Sequence, residues 1–182
     1  MSKKKARWLV GIFLVLAVAV GVGGWQWYRW MFPYGYSHSC DKQLMFALEN
    51  YAQAHGGAYP AGEATPEASL SLLYPVFANE HVLQGKTVPL EVVRAVLERG
   101  ERLGPDTCGW HYVEGLRQDD DRRLALFWDK VGLGHNGQRQ SDGGHLVFFV
   151  GYGVNYIDGD KWEEFLREQE ALRKEQFAKR AK

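Results

Sequence analysis

Residues 8 to 28, from Trp8 to Tyr28, form an uncharged stretch of 21 residues between Arg7 and Arg29. Its centre is Leu9, Val10, Ile12, Phe13, Leu14, Val15 and Leu16, followed by alternating Ala and Val. Wound as a helix, it is about 31 Å long, the thickness of the hydrocarbon core of a bilayer. A helix satisfies its own backbone hydrogen bonds and so can lie where there is no water. If it spans, everything after it lies on one side of a membrane.

Charge sets the direction. Lys3, Lys4, Lys5 and Arg7 precede the apolar run with no acidic residue among them. The positive-inside rule makes residues 1–7 a cytoplasmic basic N-terminus, residues 8–28 a single span of the inner (cytoplasmic) membrane, and the rest periplasmic or extracellular. Trp25, Trp27, Tyr28 and Trp30 fall where aromatic rings favour the headgroup layer, and residues 29–39 continue as an aromatic juxtamembrane linker. A cleaved secretory signal is the other reading: the Lys-rich start, the apolar run from Trp8 to Val20 and the small residues around Ala17-Val18-Ala19 fit one, which would release a secreted binding domain. The aromatic collar and the full-length span favour the retained anchor. Ala17 with Gly21, or Ala19 with Gly23, gives small-xxx-small spacing that lets two such helices approach.

The remainder is long enough for one exported domain, assigned to residues 40–157, with a charged helix over 158–182. Hydrophobic residues make up 46% of the chain, which argues for a packed core rather than disorder. Lys and Arg number 22 and Asp and Glu 22, and no basic stripe suggests a nucleic-acid partner. The two cysteines, Cys40 and Cys108, are expected to form a disulfide in an exported domain, free buried thiols being the other possibility.

Periodicity gives the elements. Pro33 and Gly35 interrupt the first helix, and Ser39 is placed to cap a second over 40–55, with Cys40, Leu44, Ala47, Leu48 and Tyr51 on one face. Thr65-Pro66-Glu67 starts a helix and Pro75 stops it; 79–88 reads as a polar connector; Pro89 opens a helix that Gly100 closes. Beyond Cys108 the period becomes extended. Strands are expected at Trp110–Val113, Leu124–Trp128, Leu146–Val150 and Val154–Ile157, with a long loop over Gly132–Gly144. The tail from Asp160 reads as a solvated charged helix with a partial apolar face of Trp162, Phe165, Leu166 and Leu172. The fold class is α+β: a transmembrane helix, then a helix packed on a three- to four-stranded antiparallel sheet.

Cys40-Asp41-Lys42-Gln43-Leu44, Ala47-Leu48-Glu49-Asn50-Tyr51 and Gly56-Gly57-Ala58-Tyr59-Pro60, with Ser69-Leu70-Ser71-Leu72-Leu73-Tyr74-Pro75, resemble the start of the soluble part of bacterial type II secretion pseudopilins. Trp110–Leu116, Leu126–Lys130, His135, Gly137 and Asp142-Gly143-Gly144-His145-Leu146-Val147-Phe148-Phe149 suit the same family, with one extra glycine before His145. The resemblance implies a pilin-like domain with a structural or adaptor role in a cell-envelope or secretion assembly. The implied partners are the lipid bilayer, further copies of the chain, or envelope and secretion proteins. One departure lies in the span, Gly11-Ile12-Phe13-Leu14-Val15-Leu16, which lacks the Glu that follows the pseudopilin cleavage site. Without that carboxylate the usual charge contact between packed subunits is missing, so a pilin-like domain on a simple anchor is the expectation.

The alternative chemistry is a metal-dependent hydrolase built from His111, Asp129, His135, Asp142 and His145, which the strands could gather into an imidazole and carboxylate cluster. No two histidines stand at HxxxH spacing, and Asp142-Gly143-Gly144 equally reads as a turn. No cofactor is expected from the motifs. Calcium enters through the resemblance, because major pseudopilins hold it in a C-terminal loop; Asp119–Asp121 and Asp142 are oxygen-rich but lack EF-hand spacing. No GxSxG motif, Walker loop or dinucleotide fingerprint occurs.

Overall fold

The computed structural model describes residues 3–180. Met1, Ser2 and residues 181–182, the extremes of the basic N-terminus and of the tail helix, lie outside the described residues. Helix α1 spans Lys3–Met31, and its apolar segment Gly11–Met31 is long enough to cross a membrane, with none of it buried against the rest of the chain. After the Pro33–Gly35 break come α2 (Asp41–Ala54), α3 (Pro66–Leu70, continued by a 3₁₀ turn over Ser71–Leu73), α4 (Glu80–Gln84) and α5 (Leu90–Glu98). Strands β1 (Trp110–Tyr112), β2 (Ala125–Asp129), β3 (His145–Phe149) and β4 (Val154–Ile157) form an antiparallel meander in the order β1-β2-β3-β4. Helix α6 (Trp162–Arg180) ends the chain.

The alternation of side chains along each strand divides the sheet into two faces. Trp110 opposes Asp129, and Tyr112, Phe127 and Phe148 line up across three strands. This inner face packs aromatic on aromatic: Phe127 stacks on Phe148 at 4.6 Å, and Trp110 meets Phe127 edge-on at 5.5 Å. Leu44, Ala47, Leu48 and Ala52 of α2 are buried in the same core, as the helical spacing predicts.

The tail helix departs from expectation. It is not a solvated appendage but a cover for the outer face. Phe165 packs edge-on to Trp128 and Phe149, and Gln169 bonds the start of β2, accepting from Ala125 N at 2.8 Å and donating to Arg123 O at 3.0 Å. At its end Arg180 pairs with Asp120 and donates to Gly115 O at 2.7 Å. Because helices cover both faces, all five residues of β2 are buried, which accounts for its unbroken Ala-Leu-Phe-Trp-Asp sequence.

The connector over 79–88 holds α4, started by the Asn79 side chain accepting from Val82 N at 3.1 Å. Val82 and Leu83 of this helix are buried. Ser39 does not cap α2: Cys40 occupies that position without a side-chain cap bond, and the Ser39 hydroxyl instead donates to Val82 O at 3.4 Å.

The expected disulfide is not formed. Cys40 and Cys108 are both free thiols. Cys108 is enclosed in the core with its sulfur directed at the carbonyls of Leu83 and Trp110, at 3.7 and 3.9 Å, whereas Cys40 sits half-buried at the start of α2. Sequence parity gave an even thiol count; packing engages the Cys108 sulfur elsewhere.

Candidate functional site

Two constellations of titratable groups stand out, one on each face of the sheet.

On the outer face, β-strand register sets His111 beside Trp128, and their rings stack at 4.2 Å. His145, at the start of β3, stacks on Trp162 of α6 at 3.8 Å, and Trp162 meets Trp128 edge-on at 5.7 Å. These rings, with Lys130, Glu170 and Arg173, bound a cleft of about 350 Å³ between α6 and the sheet. Desolvation lowers the proton affinity of His145. It also lowers that of His111, whose ring lies flat on Trp128; Glu67 opposes the shift, and Arg173 and Lys130 add to it. Nδ1 of His145 is buried without a hydrogen-bond partner. Neutral imidazoles on indole faces serve here as packing.

On the inner face lies a buried ion cluster. Gly85, with φ of 72°, ends α4 and passes so near Gly109 that a Cβ on Gly85 would sit 2.6 Å from the Gly109 Cα. That close backbone approach, which only glycine allows, turns Lys86 into the core. Gly109 N donates to Gln84 O at 2.9 Å, and Trp110 Nε1 donates to Val82 O at 2.9 Å, fixing the same corner.

Lys86 Nζ donates to Asp41 Oδ1 at 2.5 Å and also to Asp129 Oδ2. The side chains of Lys86, Asp41 and Asp129 are 0%, 2% and 5% exposed. Asp41 opens α2, where the helix dipole also favours a negative charge, and Asp129 closes β2. The Trp110 ring lies 5.4 Å from the ammonium. His135, 57% exposed on the long loop, brings Nδ1 within 3.3 Å of the other Asp41 oxygen.

The electrostatics follow from two carboxylates sharing one ammonium in a dry site. Burial pushes the Asp129 carboxyl up to about 7; Lys86 opposes this and Asp41 reinforces it. Burial works against the charge on Lys86, but the two carboxylates outweigh it and its proton is held above the usual range. Asp129 Oδ1 has no hydrogen-bond partner among the described residues. Buried Glu49 differs, since Tyr59 and Gln118 both donate to its carboxylate.

The five residues expected to share a centre are thus divided among three places. His111 and His145 line the outer cleft; Asp129 and His135 belong to the inner cluster, joined through Asp41 and Lys86. Asp142 is on the loop surface, accepting from the Tyr156 hydroxyl at 2.5 Å and from Gly144 N at 3.3 Å. Alternation explains the division: His111 and Trp128 share one face, and Asp129, one residue on, must point to the other. Among the described residues no three His, Cys, Asp or Glu side chains group as a metal site. The carboxylates considered for calcium are engaged internally, Asp120 with Arg180 and Gln176, and Asp121 with Arg123.

Lys86 and Asp41 escaped sequence reasoning. Lys86 lay in an apparent polar connector and Asp41 in an ordinary first turn. The available signal was Gly85 beside Lys86, a glycine that admits a lysine where the flanking Val82, Leu83 and Val88 are apolar.

Comparison with protein-family models, with curated proteins and with solved structures found no match.

Proposed function

We propose that this chain is a membrane-anchored protein whose exported α+β domain has a structural or adaptor role in a cell-envelope or secretion assembly. The observation that carries the reading is the junction between α1 and the domain. The apolar segment of α1 is unburied, yet its C-terminal end is gripped: Arg139 N donates to Met31 O at 2.7 Å, and Arg139 Nε donates to Trp30 O at 3.2 Å. The guanidinium also lies 5.8 Å from the Trp30 ring, where a cation complements the helix dipole. Ser37 N donates to Asn136 O at 3.0 Å, so the loop carrying His135 and Arg139 holds both sides of the break. The grip sets the end of α1 in a fixed pose on the domain, as an anchored domain requires. The basic N-terminus and the exposed rings of Trp25, Trp27 and Trp30 support an anchor with its N-terminus in the cytoplasm.

A pilin-like character is the finer part of the proposal. Helix α2 against the inner face of an antiparallel meander supports it, whereas α6 on the outer face is an addition to that plan. Self-association through the Ala17 and Gly21 face, or through the Ala19 and Gly23 face, is compatible with the open space around Gly21 and Gly23.

The test is alkaline extraction of membranes combined with protease treatment from the exported side, followed by in-membrane crosslinking with mass spectrometry. Retention in the membrane, cleavage of the domain from outside, and self-crosslinks or capture of envelope components are expected. A soluble chain beginning near residues 20–25 would replace the reading with that of a secreted domain.

A further inference from the structure

The inner cluster has a feature that an ordinary buried ion pair lacks. Two carboxylates face one amine, all three side chains are at least nine-tenths buried, and one oxygen of Asp129 touches no donor. Burying an unpaired carboxylate oxygen is costly, and an ion triplet left with an excess charge is more so. Condensing the ammonium with a protonated Asp129 carboxyl leaves a neutral amide in place of both, and the surplus proton on Asp41 leaves no charge buried there.

We propose that Lys86 and Asp129 condense to an intramolecular isopeptide bond, with Asp41 as the catalytic proton relay. The reacting groups are already hydrogen-bonded: Lys86 Nζ donates to Oδ2 of Asp129, one bond from the electrophilic Cγ. Contact of this kind is worth a high effective molarity in a rigid site. Asp41 Oδ1, 2.5 Å from Nζ, is positioned to take the ammonium proton. The amine lone pair then attacks Cγ of the protonated Asp129 carboxyl. The Cγ–O bond breaks, one water leaves, and the Nζ–Cγ amide remains. Three protons on the ammonium and one on Asp129 become one amide proton, two in water and one on Asp41, so atoms and charge balance without an oxidant or co-reactant. A raised Asp129 proton affinity supplies the protonated electrophile near neutral pH. Half-exposed His135, against the other Asp41 oxygen, gives the relayed proton a path to solvent. The Trp110 ring shields the amine from water.

The product would join the end of the α4 corner to the end of β2, bridging a separation of 43 residues. It would do so without redox chemistry, in a domain whose two thiols are free. This inference does not rest on the membrane assignment.

The experiment is mass spectrometry of the full-length chain, extracted in detergent, shown to melt cooperatively and then denatured. The chain should be lighter than its sequence by one water. Trypsin should fail to cut after Lys86, and a branched peptide should join the Lys86 and Asp129 segments. Asp129→Ala should restore the sequence mass and cleavage at Lys86. Asp129→Asn should still condense, leaving lighter by one ammonia, and Asp41→Asn should leave the chain largely uncrosslinked. A folded wild-type chain that has its full mass and is cut at Lys86 would overturn the proposal. So would a water loss that maps to a succinimide at Asp142-Gly143 or Asp158-Gly159 with Lys86 still cleavable. Full condensation in Asp41→Asn would remove Asp41 from the mechanism.

Discussion

Replacing Lys86 with Met tests the inner cluster most severely. The substitution keeps the length of the side chain and its packing beneath Trp110 but removes the cation that touches Asp41 Oδ1 and Asp129 Oδ2. Two buried carboxylates are then left without their counter-charge, and His135 alone faces Asp41. Breaking a buried pair in this way costs about 3–5 kcal/mol. For a domain of this size each kcal/mol lowers Tm by about 2–4 °C, so the variant should melt about 6–20 °C lower. Any isopeptide lost with Lys86 adds to the deficit. Asp129→Asn is the control: whether or not it condenses with Lys86, it removes the second buried carboxylate, so it should cost much less than Lys86→Met. The deficit of Lys86→Met should also depend on pH. With no ammonium present, burial holds the Asp129 carboxyl above its unfolded value of about 3.9, so the folded chain holds more protons than the unfolded one above that pH. Stability must then fall as pH rises, and the variant should be appreciably firmer at pH 5 than at pH 8. Circular-dichroism melts of the full chain in detergent at both pH values measure this. A Lys86→Met chain within about 1 kcal/mol of wild type at pH 8 would refute the reasoning, because the site would then have to admit water freely.

Other perturbations probe separate links. Asp129 in an uncondensed chain, pushed up to about 7, stabilises the fold below its unfolded value and loses that contribution as pH climbs through about 7; a condensed wild-type chain should lack this titration, which melts across pH 5–8 would detect. Gly109→Ala would force a Cβ to 2.8 Å from Gln84 O, and should cost at least about 2 kcal/mol, read in a chemical-denaturation curve. Arg139→Ala should leave the domain's stability within about 1 kcal/mol of wild type while making residues 31–40 more accessible to protease, since it removes the guanidinium bond and the cation over the Trp30 ring at the end of α1. Burial pushes the Cys108 thiol up to about 12, so alkylation in the native state should label Cys40 and spare Cys108 until the chain is denatured.

What the sequence made legible was whatever depended on local period. The α2 stripe, the α3 start at Thr65-Pro66 and the four extended segments all follow from spacings of 3.6 or 2, and each lies within a residue or two of expectation. What it hid depended on contacts between distant segments. The weakly amphipathic, heavily charged α6 gave no sign that Gln169 and Arg180 bind the backbone of the sheet and its turns from 44 and 65 residues away. The even cysteine count argued for a bridge, but Cys108 directs its sulfur at two core carbonyls. The histidines and aspartates seemed to gather because they are near in sequence, yet β-strand alternation sends Trp128 and Asp129 to opposite faces.

The inner cluster was the least legible part, because its three members come from a helix start, a loop and a strand end. Those are also the three places where the domain meets the segment leading out of α1. Ser37 donates to Gly85 O, Asp41 and Lys86 pair next to it, and His135 belongs to the same loop whose Arg139 holds Trp30 and Met31. The buried charges therefore sit at a corner through which a displacement of α1 reaches the domain. A corner made only of apolar contacts could slide; one in which a lysine must meet two specific carboxylates has a single register. If that lysine is bonded covalently to Asp129, the corner is fixed outright, and pulling on α1 would load α2 and the sheet together rather than peel the α4 segment away. The expectation is that uncondensed variants, not merely destabilised ones, would transmit a displacement of α1 poorly. Spin labels on α1 and β4 in bilayers should accordingly report a broader distance distribution for Asp129→Ala than for Asp129→Asn.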